Sequence, residues 1–337
     1  MTVLRGGLKG VTASVPRSLG TLVRTRLTTV AAFALAALLF IIGTAYASGF
    51  ASLSNVRTLA VFASVMGLVG LGETFVILTG GIDLSVAYLV DFGGIQLSYM
   101  TRTLQVGLWV DVLLVVAMGI AIGAVSGFLV AVTGAPPLVL TLGVGGLVEG
   151  YLVAVGTLQS AGDVVPPGIE HFTAGYLGPV PNMTLVWLGL AIVCALVLTR
   201  TTLGRRIYLV GTNPRAARLS GIHVNRVRFT TYMVSGATAT IAGVLLSGFV
   251  QTSYIGMGSS YLFGSVAAVA IGGTALVGGT GSVWGTVGGA CTLTILAFLL
   301  PILGLNSATV QIADGGIILV GVLLARRLQL LGRTGGR

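Results

Sequence analysis

Charged side chains are scarce in this sequence. Only 8% of its 337 residues are Asp, Glu, Lys or Arg, whereas soluble domains carry about 25%. Cysteine and histidine occur twice each, and both cysteines, Cys194 and Cys291, lie within apolar runs. The low charge excludes a soluble globular domain. The cysteine and histidine counts predict no disulfide framework, no metal site and no bound cofactor.

Lysine is almost absent, because Lys9 is the only one in the chain. A P-loop requires a lysine that reaches the β- and γ-phosphates, and no GxxxxGK[ST] pattern surrounds Lys9. The chain is therefore predicted to contain neither a P-loop ATPase nor a catalytic site. Any process driven by ATP would need a separate ATPase chain.

Apolar residues dominate what is present, at 55% of the sequence and with a mean hydropathy of +1.03. A helix of about 20 apolar residues crosses roughly 30 Å of hydrocarbon. The sequence thus predicts an all-α, polytopic transmembrane helical bundle of about ten spans. These spans are predicted at 28–48, 58–79, 84–101, 108–132, 137–157, 183–200, 229–250, 261–279, 281–304 and 309–325.

Glycine is abundant, with 52 residues and no collagen-like period. Small residues at four-residue spacing let helix backbones approach closely in lipid, so we interpret two such series as interhelical contacts. They are Gly119, Gly123 and Gly127, and Gly281, Gly285 and Gly289. They lie in the fourth span of the first five and the fourth of the last five, which suggests two five-span halves inverted relative to each other.

Basic residues form three blocks rather than a patch on a soluble face, so the net charge of +10 does not indicate a nucleic-acid partner. The positive-inside rule places the blocks in the cytoplasm. We predict a cytoplasmic N-terminal segment at 1–27, a transmembrane domain at 28–325 with a cytoplasmic loop at 201–228, and a cytoplasmic tail at 326–337. Ten spans agree with this assignment, and they place the arginine-free loop 158–182 outside.

The loop 201–228 contains a short helix with signals at both ends. Asn213 is a good N-cap residue, Pro214 suits the first helical position, and Gly221 suits the left-handed position after a helix. We expect a helix of about two turns over residues 215–220. It has the shape to dock in a partner's groove, although a solvated connector held near anionic lipid by Arg215 and Arg218 is the alternative.

Three stretches resemble the ribose-type ABC permease family in the same order along the chain. They are TFVILTGGIDLSV at 74–86, GRRIYLVGTNPRAARLSGI at 204–222 and AAVAIGGTALVGGTGSVWGT at 267–286. The resemblance implies that the short helix couples the chain to an ATPase subunit. The residues that carry this role would be Asn213, Pro214, Arg215, Ala217, Arg218 and Gly221.

The resemblance also implies the function and the partners. The chain would be the permease subunit of a bacterial inner-membrane importer for a sugar or sugar-like solute. A second copy or a sister permease, ATP-binding subunits and an extracytoplasmic solute-binding protein would complete the importer. The sequence departs from the family pattern at Ala87, Tyr88 and Glu149, so that the solute need not be ribose.

An ion-coupled secondary transporter is the rival hypothesis, because it needs ionisable groups within the membrane. The candidates are Glu73, Asp83, Asp91, Asp111, Glu149 and Asp314. None has an obvious basic partner in a neighbouring span, since sixteen of the eighteen basic residues lie in the cytoplasmic blocks. We expect Asp111 to face water at the outer end of a span, and Asp91 and Glu149 to face a water-filled pathway or another subunit.

A helix break is predicted after the second span, where Gly80 and Gly81 follow an apolar run. Asp83 would cap the next helix before Leu84 and Ser85, and its oxygen would satisfy backbone N–H groups at membrane depth. Two alternatives stay open. Asp83 and Ser85 could belong to the solute path or to a moving joint between the second and third spans, or Asp83 could face lipid by accident.

Overall fold

The computed structural model describes residues 17–157, 165–304 and 315–316 of the chain. The elements bounded within these ranges are helices, apart from one short antiparallel hairpin. In chain order they are α1 (Arg17–Tyr46), α2 (Leu53–Leu78), α3 (Val86–Thr103), α4 (Leu108–Thr133), α5 (Pro137–Thr157), α6 (Pro167–Ala174), β1 (Tyr176–Leu177), β2 (Val180–Pro181), α7 (Asn182–Arg200), α8 (Thr202–Thr212), α9 (Pro214–Leu219), α10 (Val224–Val250), α11 (Tyr261–Ile271) and α12 (Val283–Ile302).

Seven of these helices are long and apolar enough to cross a membrane, namely α1, α2, α4, α5, α7, α10 and α12. An all-α polytopic bundle is therefore confirmed, and these seven correspond to predicted spans whose limits differ by a few residues. The predicted tenth span at 309–325 lies outside the described residues except for 315–316. The tail 326–337, Asp314, and residues 1–16 and 158–164 also lie outside them.

The prediction of a continuous span at 261–279 is wrong. Helix α11 ends at Ile271 after 11 residues, and the chain turns at Gly273, whose φ is +86°. Gly278 and Gly279 also have positive φ, at +91° and +81°, so the segment between α11 and α12 is an irregular glycine-rich turn. A β-carbon makes these dihedral angles costly, which explains why glycine occupies them.

Helix α2 forms the centre of the bundle. Its most apolar 18-residue window is 89% buried inside the protein, whereas that of α1 is 17% buried. Helices α10, α12, α11 and α7 pack around α2, and α10 also packs against α3 and α4. A span that contacts protein on most sides does not need a lipid-facing stripe, and α2 contains the buried polar residues Ser64, Glu73 and Thr74.

The first glycine series forms a close helix contact, as predicted. Gly119, Gly123 and Gly127 of α4 face α10 along Tyr232 and Gly236. A β-carbon at Gly123 would overlap the Tyr232 carbonyl oxygen, and one at Gly236 would overlap the backbone of Gly119. The two backbones therefore touch where no side chain separates them.

The second glycine series is only partly helical, which corrects the prediction. Gly281 precedes α12, which is capped by Ser282, and has a positive φ of +155°. Gly285 and Gly289 do lie in α12, and β-carbons there would overlap the carbonyl oxygens of Gly272 and Ala268. This series therefore seats α12 against the end of α11.

One end of the bundle carries α6 and the β1–β2 hairpin, and we call it the hairpin end. Arg57, in the first turns of α2, donates from Nε to the Pro179 carbonyl (3.1 Å) and from Nη2 to the Gly178 carbonyl (3.2 Å). Its guanidinium also lies 4.3 Å from the ring centre of Tyr176. Helix α2 begins at this end.

The opposite end carries α8 and α9, and we call it the α9 end. The Tyr208 hydroxyl of α8 donates to the Gly281 carbonyl at 3.0 Å, and burial raises the pKa of this phenol. In α1, the Thr29 hydroxyl pairs with the Ser282 hydroxyl at 3.0 Å. The beginning of α1 and the loop 201–228 therefore share one end of the bundle.

Candidate functional site

Helix α9 is held by its own caps, as the sequence predicts. The Asn213 side-chain oxygen accepts hydrogen bonds from the backbone N–H groups of Arg215 and Ala216, each at 3.1 Å, and Pro214 occupies the first turn. Gly221 follows the helix with φ of +78°, and its N–H donates to the Arg218 carbonyl at 3.0 Å. The six-residue helix is thus fixed at both ends.

The outer face of α9 is exposed. Ala217 points inward and is 4% exposed, whereas Leu219 is 91% exposed and the side chains of Arg215 and Arg218 are exposed. A cleft of about 590 Å³ lies beside it, between Arg218 and Arg226 at the start of α10. The α9 end thus presents a small, basic, rigid projection.

Helix α8, which leads into α9, was not predicted from the sequence. Its Ile207 and Val210 are buried, while Arg205 and Arg206 are exposed, so the helix lies with one face on the bundle. Thr201 caps it by accepting from the Gly204 N–H at 3.2 Å. The three-residue spacing of Gly204, Ile207 and Val210 was the available signal.

The three motifs singled out in the sequence meet at one point. The Gly279 N–H, in the turn before α12, donates to the carbonyl of Leu78, the last residue of α2, at 2.9 Å. Gly211 of α8 lies against both, since a β-carbon there would overlap the Leu78 carbonyl oxygen and the Gly279 nitrogen. We call Leu78, Gly211 and Gly279 the glycine joint. Gly211 of this joint lies two residues before Asn213, the cap of α9.

The helix is interrupted after the glycine joint, as predicted. Helix α2 ends at Leu78, and Gly80 has φ of +80°. The predicted role of Asp83 is only partly correct. Its Oδ1 accepts from the backbone N–H of Ser85 at 3.1 Å and from the Ser85 hydroxyl at 2.5 Å. However, α3 begins at Val86, and Ser85 occupies the N-cap position without accepting a capping hydrogen bond from the helix. Asp83 therefore closes a turn ahead of the helix.

The break between α2 and α3 lies deep inside the protein. Asp83 and Ser85 are 0% exposed. The Thr141 hydroxyl of α5 accepts from the Leu84 N–H at 3.0 Å, and the Glu73 carboxyl of α2 accepts from the Asp83 N–H at 3.2 Å through Oε1. Side chains of two helices thus satisfy the N–H groups that the break removes from helical bonding.

Glu149 lies apart from this cluster. It is exposed on α5, on the same face as Leu142 and Val153, and β-carbons at Gly146 and Gly150 would meet open space. No other described element covers this face. The structure therefore does not bring Glu149 together with Asp83 and Ser85.

Two acidic residues differ from expectation. Asp91 was expected to face a pathway or a subunit, but it is 4% exposed and accepts the backbone N–H groups of Gly256 (2.8 Å) and Gly258 (2.6 Å). Asp111 was expected to face water, but it is 0% exposed. Asp91 therefore ties α3 to the turn that follows α10, and Asp111 belongs to the packed interior near the start of α4.

Comparison with known proteins decides the family. Residues 55–324 match the family described as branched-chain amino acid transport system / permease component. The chain belongs to this permease family. The ribose import permease protein RbsC of Escherichia coli (strain K12) is 34% identical over 287 residues, which cover 83% of this chain and 88% of that protein.

Two further relatives show the same extent of similarity. RbsC of Bacillus subtilis (strain 168) is 35% identical over 281 residues, covering 81% of this chain and 85% of that protein. The probable ABC transporter permease protein YphD of Escherichia coli (strain K12) is 32% identical over 291 residues, covering 85% and 86%. The resemblance to ribose-type ABC permeases is thereby confirmed, and this permease is a membrane-spanning component of an ABC importer.

Proposed function

We propose that this permease moves a sugar or a sugar-like small solute across the bacterial inner membrane with energy from ATP hydrolysed by a partner subunit. The relatives named as ribose import permeases support the solute class. The observation that carries the coupling is α9, a capped helix that projects from the α9 end with Arg215, Arg218 and Leu219 exposed.

The ATP-binding subunit is proposed to receive α9 in a groove. Residues Asn213, Pro214 and Gly221 would set the shape of the helix, and Arg215 and Arg218 would contact the subunit. Ala217 would anchor the helix on the bundle because it is 4% exposed. Motion of α9 would then reach α2 and the turn before α12 through the glycine joint, which lies directly before the α9 cap.

The proposed topology places the α9 end in the cytoplasm, with both termini on that side and ten crossings in all, one of which is made by the short helix α11 and the irregular turn that follows it. The arginines of the loop 201–228 support this orientation. The hairpin end would then face the extracytoplasmic solute-binding protein.

Two inverted halves are also part of the proposal. In support, α4 packs on α10 and α12 packs on α2, so that the fourth span of each half contacts the second span of the other. The Thr74 and Thr286 hydroxyls, 2.6 Å apart, lie in the contact between α2 and α12. An exchange of this kind is what a pseudo-two-fold axis produces.

The uncovered face of α5 is proposed to meet the second permease copy, or a sister permease, across the solute path. Glu149 lies on this face, and an ionised carboxylate that faced acyl chains would cost several kcal/mol, about 2.5 or more. Gly146 and Gly150 leave room for close approach, because β-carbons there would meet nothing.

Reconstitution tests the proposal. The permease is inserted in liposomes with its partner ATPase and solute-binding protein, and uptake of labelled ribose and other monosaccharides is measured. We expect uptake that needs all three proteins and ATP. Uptake by the permease alone, driven by a proton or sodium gradient, would instead support the ion-coupled secondary transporter.

A further inference from the structure

Glu73 and Asp83 form a pair of carboxyl groups in the centre of the protein. Both residues are 0% exposed. Glu73 Oε1 accepts the Asp83 backbone N–H at 3.2 Å, which brings the two side chains to the same place. The second oxygen of each carboxyl, Glu73 Oε2 and Asp83 Oδ2, is buried and has no hydrogen-bond partner.

No cation in the described part of the chain neutralises this pair. Helix α5 contributes the Thr141 hydroxyl, and α10 contributes Tyr232, whose hydroxyl donates to the Ile82 carbonyl at 3.5 Å. Arg228 of α10 interacts with Tyr232 rather than with either carboxyl. Two adjacent carboxyl groups in such a site cannot both be ionised.

One further polar group points into the pair. Ser235 of α10 is 0% exposed, and its hydroxyl lies beside the Asp83 carboxyl without a well-formed hydrogen bond. Its backbone lies against the same turn of α2, because a β-carbon at Gly72 would approach the Ser235 Cα to 2.5 Å. Three buried oxygen atoms at this site therefore lack hydrogen-bond partners: Glu73 Oε2 of α2, Asp83 Oδ2 of the segment before α3, and Ser235 Oγ of α10.

The hydrogen-bond inventory of the site distinguishes the two carboxyls. Asp83 Oδ1 already accepts two donors from Ser85, which stabilises an ionised Asp83. Glu73 accepts only the Asp83 N–H. If both were ionised, Glu73 Oε2 and Asp83 Oδ2 would be two acceptors with one new donor between them, the Ser235 hydroxyl. A proton on Glu73 supplies the missing donor.

We propose that Glu73 and Asp83 form a proton-binding site, in which a protonated Glu73 donates from Oε2 to Oδ2 of an ionised Asp83. A metal cation fits the site less well, because hard divalent cations take about six oxygen ligands or more and this site offers three unpartnered oxygens. The resulting hydrogen bond fastens the segment between α2 and α3, which contains Asp83, to Glu73 of α2. Loss of the proton would place two negative charges against each other, close below the glycine joint.

Infrared spectroscopy of the purified full-length permease in lipid nanodiscs tests the site, because a protonated carboxyl has a C=O stretch separate from that of a carboxylate. At neutral pH we expect this band in the wild type. Glu73→Gln should remove it, since the amide N–H replaces the proton as donor and Asp83 stays ionised. Asp83→Asn should keep it, because Glu73 then remains the protonated group. Glu170→Gln is the control, since Glu170 pairs with Gln251 at the hairpin end, and it should leave the band unchanged.

Thermal unfolding gives a second readout. The melting temperature of the wild type should fall as pH rises from neutral to alkaline, and that of Glu73→Gln should fall less, because its donor cannot dissociate. The proposal is overturned if the band is missing in the wild type, survives in Glu73→Gln or disappears in Asp83→Asn. It is also overturned if the melting temperatures of the wild type and of Glu73→Gln fall by the same amount as pH rises. A loss of the band on addition of sodium ions at fixed pH would overturn it as well.

Discussion

The backbone N–H of Gly279 donates a 2.9 Å hydrogen bond to the carbonyl of Leu78, and this bond joins the end of α2 to the turn before α12. Gly211 covers the same carbonyl so closely that no side chain fits between them. The segment that leads to the exposed helix α9 therefore rests directly on the two irregular segments of the bundle interior.

Gly211→Ala is the first test of this contact. We expect the added methyl group to push α8 away from Leu78 and Gly279, because it would overlap both backbones. Overpacking of this kind costs about 1–3 kcal/mol, so the melting temperature of the purified permease and its ATP-dependent uptake should both fall. Gly189→Ala in α7 is the matched control, since a β-carbon there meets open space. Equal melting temperatures for the two variants would contradict the contact.

The cap of α9 gives the second prediction. Asn213→Ala removes the acceptor for the N–H groups of Arg215 and Ala216, which destabilises the helix by about 0.5–2 kcal/mol. Binding of the ATPase subunit, measured by pull-down, should weaken while membrane insertion is unchanged. Asn213→Asp keeps the acceptor and should bind as the wild type does. If the alanine variant binds equally well, α9 does not need its cap for docking.

The third prediction concerns the other end of α9. Gly221→Val places a β-branched residue at φ of +78°, a conformation that such residues rarely adopt. Arg218→Glu inverts a charge on the exposed face. Both variants should bind less ATPase, whereas Gly221→Asn should bind nearly normally, because Asn tolerates left-handed backbone. Wild-type binding and uptake in both of the first two variants would make the loop a plain connector.

Asp83 provides the fourth prediction. Asp83→Leu removes the acceptor for the Ser85 N–H and hydroxyl inside the protein, and each buried donor left unsatisfied costs about 1–3 kcal/mol. Expression and melting temperature should therefore fall. Asp83→Asn retains an acceptor oxygen and should keep the fold and most of the transport. Loss of uptake in a stable, ATPase-bound Asp83→Asn complex would mean that the Asp83 charge itself takes part in transport.

Local signals account for what the sequence predicted correctly. Asn213, Pro214 and Gly221 act within one short helix, and Gly80 stops α2 through its own backbone, so that neighbouring residues suffice to reveal them. The apolar runs likewise revealed the seven long helices, because length and composition alone decide whether a helix can span.

Tertiary packing accounts for what the sequence did not reveal. Asp111 looks like an outer-end residue, yet it is buried, and the partners of Asp91 are N–H groups of Gly256 and Gly258, far away along the chain. The stretch 261–279 is apolar enough for a span, but Gly273, Gly278 and Gly279 adopt positive φ, and Gly278 lies against Leu78, Gly80 and Gly211 from distant parts of the chain. Only the assembled helices determine these outcomes.

Helix α2 touches both ends of the bundle. At one end, Arg57 donates hydrogen bonds to the carbonyls of the hairpin. At the other end, the Leu78 carbonyl accepts from the Gly279 N–H. With 26 residues at about 1.5 Å per residue, the helix is about 39 Å long. It is one continuous helix between the two ends of the bundle, so the hairpin and the glycine joint are connected by a single hydrogen-bonded backbone.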